Sequence, residues 1–165
     1  MWTAQYYPYQ NERQLVTSGG LGTMGFGVPA AIGAKIANPD KEVILFVGDG
    51  GFQMTNQELA ILNIYKVSIK VVMLNNHSLG MVRQWQESFY EGRTSESVFN
   101  ALPDFQLMAQ AMGLSLISLI IQKRLIRIWK LSKRMCQCSS RLIFLVKSMF
   151  CQLFQLVRVI MKCWG

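Results

Sequence analysis

Two continuous apolar runs, "EVILFVGDG" over 42–50 and "IKVVMLNN" over 69–76, limit what this chain can fold into. Neither alternates apolar with polar residues, so each reads as a strand buried on both faces, the habit of parallel sheets. Between them "TNQELAILNIY" has helical spacing, with Thr55 or Asn56 as the expected N-cap. Upstream, a short apolar run at Leu15 and Val16 leads into a glycine loop. "VPAAIGAKIA" then reads as a helix with Pro29 in its first turn. Downstream, "GMVRQWQESFY" puts Met81, Trp85, Ser88 and Phe89 on one helical face, and "DFQLMAQAMG" predicts another helix. This alternation predicts an α/β fold, a doubly wound parallel sheet with helices on both faces.

Ligands of such sheets bind beyond the carboxyl ends of the strands, so Gly48-Asp49-Gly50 and Asn75-Asn76, which close the two runs, belong to one rim. An acid and an amide there, with glycines that let a phosphate reach the backbone, suit a magnesium-diphosphate site. The expected metal ligands are Asp49, the Asn76 side-chain oxygen and a backbone carbonyl near Ser78. Taken alone, G-D-G reads better as Asp49 capping the following helix, with the asparagines as a turn; its spacing to N-N shifts the balance toward a site. The loop "SGGLGTMGFGVP" carries Gly20, Gly22 and Gly25 at the spacing of a dinucleotide fingerprint. That fingerprint needs an acidic residue at the end of the next strand, whereas Asp40 and Glu42 stand at its start, which excludes a nicotinamide dehydrogenase.

Composition divides the chain near Gly113. Residues 1–113 hold seven Lys and Arg against nine Asp and Glu, whereas residues 114–165 hold ten against none. All four cysteines (Cys136, Cys138, Cys151, Cys163) lie in the second part, and every proline lies in the first. The net charge of +8 is therefore a property of the tail rather than a nucleic-acid footprint of the whole. No run is long and apolar enough to span a bilayer, and "MWTAQYYPYQ" lacks the build of a signal peptide, so a cytoplasmic location without membrane or nucleic-acid partners is expected.

G-D-G, about two dozen residues, then N-N at the end of the next apolar strand is the pattern of thiamine-diphosphate enzymes. Beyond it, "MWTAQYY", "SGGLGTMGFGVPAAIGA", "GDGGFQMTNQELA" and "LNNHSLGMVRQWQESFYEGR" resemble the large catalytic subunit of acetolactate synthases, continuously from Met1 to about Gly113. "GMVRQWQ" separates this family from relatives such as pyruvate oxidase and glyoxylate carboligase. The resemblance implies magnesium on Asp49, Asn76 and Ser78, and a cofactor contacted by Gly22, Thr23, Met24, Gly48, Gly50, Gly51, Met54, Leu79, Gly80 and Met81. Met24 would be the apolar wedge that bends the cofactor, though without the resemblance it reads as a core plug. Met81 and Trp85 would line the substrate funnel, although their spacing equally fits the contact face of an ordinary helix. His77, the single histidine, reads as a turn residue rather than a base.

The implied reaction decarboxylates pyruvate and joins its two-carbon remnant to a second pyruvate or to 2-ketobutyrate, giving a 2-acetohydroxy acid for branched-chain amino acid synthesis. Family members work as homodimers or tetramers with the site at the subunit interface, and some take a regulatory small subunit. Their first domain supplies the activating glutamate and their middle domain binds FAD. Neither has a counterpart here, so no catalytic residue is assigned and the chain alone is expected to be an inactive, cofactor-binding fragment.

The family continues past residue 113 into another strand and helix, whereas "LSLISLIIQKRLIRIWKLSKRMCQCSS" resembles nothing there, which suggests a change of reading frame. Moving one base in from each preceding codon, Met161 into Lys162 forces Glu, Cys163 into Trp164 forces Leu, and Trp164 into Gly165 forces Gly. "VRVIMKCWG" can then yield the family-like ending GKSNHEMLG. On this reading residues 114–165 form an out-of-frame basic tail, and the domain is truncated with a sheet edge left open to aggregation. Two other readings of the tail, a basic amphipathic helix over "QKRLIRIWKLSKR" and a metal site at "CQC", are less well supported. Two cysteines one residue apart without histidine make a poor zinc set.

Overall fold

The structure is a computed structural model that describes residues 2–120 and 142–147. After α1 (Trp2–Tyr6), an irregular stretch leads through the glycine loop to α2 (Gly27–Ala37), followed by β1 (Ile44–Gly48), α3 (Asp49–Gln53), a 3₁₀ turn (Asn56–Glu58) and α4 (Leu59–Ile64). Then come β2 (Lys70–Asn75), α5 (Gly80–Phe89), α6 (Phe105–Ala111), β3 (Ser115–Ile120) and β4 (Leu142–Lys147). The four strands form one parallel sheet in the order β1-β2-β4-β3. This is the α/β, doubly wound architecture expected from the strand and helix alternation.

β2 shows why the apolar runs are continuous. Val71, Val72 and Met73 are successive residues, point to alternate faces and are each at most 1% exposed, so both faces of the strand are covered. At its start Lys70 is also buried, and its ammonium meets Glu42 at 2.8 Å. α2 lays Val28, Ala31 and Ile32 on the core at helical spacing. It begins close to β1: a side chain at Gly27 would reach within 3.0 Å of Leu45 Cδ1. Phe52, Leu59, Leu62 and Ile69 complete the fully buried set, and each contributes about 1.5–3 kcal/mol by leaving water. Among the described residues, no helix is long and apolar enough to cross a membrane.

Several local expectations change. Leu15 and Val16 lie exposed in irregular chain. The segment expected to be one helix from Thr55 is a 3₁₀ turn followed by α4. Thr55 stands at the N-cap, but its hydroxyl does not cap. It donates instead to the Gly25 carbonyl at 2.7 Å, a tertiary bond that displaces the local one. The sheet also extends past Gly113, because β3 and β4 come from the region expected to leave it truncated. "SLISLI" and "LIFLVK" are apolar runs of strand length, and such runs suit a buried parallel sheet whatever their origin. The basic run at 122–134 and all four cysteines lie outside the described residues.

α6 is a helix with an identifiable start signal. Asp104 is its N-cap, its Oδ1 accepting from the N–H groups of Gln106 at 2.8 Å and Leu107 at 3.1 Å. Asp104→Ala is expected to lower unfolding stability by about 0.5–2 kcal/mol, measured as a reduced urea midpoint at unchanged slope. An unaltered midpoint would show that the cap contributes nothing.

Candidate active site

β1 ends at Gly48 in extended conformation, and the chain turns at once into α3. The parallel register pairs Gly48 with Leu74, so Asp49 emerges beside Asn75, at the carboxyl ends of both strands. The common rim read from the sequence is therefore present. Asp49 is 0% exposed; its Oδ1 accepts from the Gly50 N–H at 3.0 Å, while Oδ2 has no partner. Burial pushes this carboxyl above its ordinary value, against the opposing pull of the Gly50, His77 and Asp49 backbone N–H dipoles and the His77 ring.

The end of β2 forms two successive side-chain turns. Asn75 is buried and its Oδ1 accepts from the His77 N–H at 3.2 Å; Asn76 is exposed and its Oδ1 accepts from the Ser78 N–H, also at 3.2 Å. His77 takes a left-handed backbone (φ 55°) with its side chain exposed, the turn residue it was expected to be. Ser78 is buried, and its hydroxyl donates weakly to the Asn76 carbonyl at 3.4 Å. A β-carbon at Gly80 would come within 3.1 Å of Asn76 Nδ2, so glycine leaves that amide its place.

The glycines differ in what they make room for. A β-carbon at Gly48 would meet open space, and one at Gly51 would meet only Val47 at 3.7 Å. A β-carbon at Gly50 would lie 2.5 Å from Leu79 Cδ2 and 3.2 Å from the Phe99 ring. Gly50 thus lies beneath two side chains with its N–H occupied by Asp49, so packing already requires a glycine there. Gly48 and Gly51 have no such cover.

The glycine loop folds on itself, Gly22 (φ 65°) donating to the Ser18 carbonyl at 3.0 Å and Thr23 N–H to Ser18 Oγ at 2.9 Å. Gly25 (φ 87°) packs against Met54 and Thr55, with room for no side chain: its β-carbon would stand 3.0 Å from Met54 Cβ. This contact brings the Met24 loop to the end of α3. Met24 and Met54 are each 46% exposed, so Met24 is not a core plug. Nor is the apolar face of α5 a core face. Met81, Val82, Trp85 and Phe89 are all exposed, and Trp85 meets Phe89 edge to face at 5.7 Å.

A segment the sequence did not single out also reaches the site. Ser97–Phe99 runs antiparallel to His77–Leu79, with Leu79 N–H donating to the Ser97 carbonyl at 2.8 Å and Phe99 N–H to the His77 carbonyl at 2.9 Å. "SVF" carries no alternation or turn signal that announces such a pairing. Among the described residues, no three acidic, histidine or cysteine side chains could together hold a metal. The rim offers one carboxylate with neutral amide and carbonyl oxygens, a donor set that leaves coordination positions to phosphate and water, as magnesium prefers. The unpartnered Asp49 Oδ2 fits that ion.

The chain is 72% identical over 119 residues to the acetolactate synthase large subunit of Lactococcus lactis, covering 72% of this chain and 21% of that protein. It is 50% identical over 113 residues to the acetolactate synthase isozyme 3 large subunit of Escherichia coli K12, covering 68% and 20%. With the acetolactate synthase of Mycobacterium leprae the identity is 53% over 117 residues, covering 68% and 19%. The chain thus spans about a fifth of the length of these relatives. Among solved structures, the thiamine diphosphate-dependent 4-hydroxybenzoylformate decarboxylase of Rhodococcus jostii RHA1 superposes with a TM-score of 0.65 at 26% identity, over 78% of this chain and 24% of that one. Residues 1–135 match the family described as thiamine pyrophosphate enzyme, C-terminal TPP binding domain, and the chain belongs to that family.

Proposed function

We propose that this chain carries the thiamine diphosphate and magnesium half of a site that decarboxylates pyruvate and joins the remnant to pyruvate or 2-ketobutyrate. The observation that carries the cofactor part is the buried, unpartnered oxygen of Asp49 on the rim it shares with Asn75 and Asn76. The substrate class rests on the named relatives. Asp49, Asn76 and the Ser78 carbonyl would hold magnesium, and the open backbone at Gly48 and Gly51 would admit the diphosphate. Gly22, Thr23, Met24 and Met54 would lie along the rest of the cofactor. Met81 and Trp85, exposed on α5, would face the 2-keto acid. Bound thiamine diphosphate supplies the carbon nucleophile; this chain supplies charge, orientation and apolar walls.

Thiamine diphosphate is expected to quench tryptophan fluorescence of the full chain saturably, and only with magnesium present. Residues 1–165 alone are expected to form no acetolactate. Quenching that ignores magnesium would overturn the metal assignment, and acetolactate production would overturn the half-site reading.

For the tail, the change in composition at Gly113 and the codon pattern of residues 156–165 support a shifted reading frame. Sequencing the gene across codons 105 to 125 tests it. An intact frame shared with near relatives would refute it.

A further inference from the structure

Gln86 projects from α5, an otherwise solvent-facing helix, and both ends of its amide are used. Nε2 donates to the Ser95 carbonyl at 3.0 Å, and Oε1 accepts the hydroxyl of Ser97. Ser97 is 0% exposed, and its own carbonyl takes the Leu79 N–H. The strap 97–99 is thus tied at one end to α5 and at the other to the turn that follows Asn76. Its two backbone bonds use His77 and Leu79, and the Ser78 N–H goes to Asn76 Oδ1, so the Ser78 carbonyl stands outside the strap's ladder. A single antiparallel bridge is marginal by itself, and His77 holds a left-handed backbone, which is uncommon for a non-glycine residue and benefits from neighbouring contacts that hold it. The strap holds this turn from one side, in addition to the local Asn75 and Asn76 side-chain bonds, and the pair Gln86 and Ser97 ties the strap to α5.

We propose that Gln86 and Ser97 are positioning residues, a latch that fixes the 77–79 turn through the strap 97–99 and so sets the geometry of the Asn76 and Ser78 side of the magnesium site. The inference rests on the cofactor reading above, and its test separates the two. In the full chain, Gln86→Met and Ser97→Ala are each expected to raise the magnesium concentration for half-maximal thiamine diphosphate binding by about 10 to 100-fold, the range for residues that orient metal ligands. The double variant should be no worse than the poorer single one, because the two act as one unit. Affinity for thiamine diphosphate at saturating magnesium should change little, a split that general loosening of the fold would not give. Amide exchange in the ligand-free chain supplies a second readout: Leu79 and Phe99 should exchange at least tenfold faster, with Val72 and Met73 in β2 unchanged.

If Ser97→Ala fails to fold, Gln86→Met on the exposed helix still decides. Wild-type magnesium dependence in Gln86→Met, with Leu79 and Phe99 still protected, would overturn the latch while leaving the cofactor reading intact. A wild-type chain that binds no thiamine diphosphate would overturn that reading and the latch's role toward the metal together.

Discussion

Replacing Asp49 with asparagine is expected to abolish magnesium-dependent thiamine diphosphate binding and, in the same molecule, to stabilise the ligand-free chain at neutral pH. The two effects share one cause. Asp49 is fully buried with one carboxylate oxygen unpaired, so without a cation its charge is paid for by the rest of the fold. Asparagine keeps an oxygen for the Gly50 N–H and exchanges an unpaired charge for an unpaired neutral group, whose own penalty of about 1–3 kcal/mol is smaller than that of a charge. Burial raises the carboxyl above its ordinary 3.8, so the folded chain holds this proton more tightly than the unfolded one. That contribution to stability is complete below pH 3.8 and is lost as pH rises through the raised value. The thermal midpoints of wild type and Asp49→Asn should therefore coincide in acid and separate toward neutrality, with the variant higher. Saturating magnesium and cofactor should reverse the order, because only the wild type gains from ligand binding. A variant less stable than wild type at neutral pH without ligand would refute the account of the orphan charge. Retained magnesium-dependent binding would refute Asp49 as a ligand.

What the sequence made legible follows from how local each signal is. β2 stood out because a strand buried on both faces must be continuously apolar; β1 carries the same pattern but lies at the edge of the described sheet with only Leu45 buried, so its expected burial on both faces is not met, and Gly48 and Asn75 close the two strands. The rim shared by Asp49 and Asn76 followed from parallel topology alone. α3 was not legible: "DGGFQ" has two glycines, which disfavour a helix, and the segment is held by burial of Phe52 rather than by propensity. Thr55 looked like a cap because spacing reveals only local partners, while its hydroxyl found Gly25, thirty residues away. That packing alone requires a glycine at Gly50, beneath Leu79 and Phe99, was not visible in the sequence. The strap at 97–99 was hidden for the same reason, since its partners His77 and Leu79 lie about twenty residues away and its anchor is a glutamine on another helix.

The glycine-rich turn that carries Asp49 is thus held by tertiary contacts, and Phe52 tests this most severely. Its side chain is 1% exposed and its ring meets Phe105 edge to face, with centroids 5.9 Å apart, joining α3 to α6 across the core. Phe52→Ala is expected to cost about 3–5 kcal/mol, from lost burial and the cavity left behind. A domain of this size is typically stable by only about 5–15 kcal/mol, so the variant should unfold at a much lower urea concentration or purify unfolded. Leu107→Ala, at a position on α6 that is 64% exposed, is the control and should shift stability by no more than about 0.5 kcal/mol. Because α3 has little propensity of its own, the loss should not stay in the core. Where Phe52→Ala remains folded, amide exchange at Gly50 and Gly51 should rise more than at Val72 in β2. Equal loss of protection at all three would mean that α3 unfolds only with the whole sheet, so that the backbone around Asp49 owes its order to β1 rather than to Phe52.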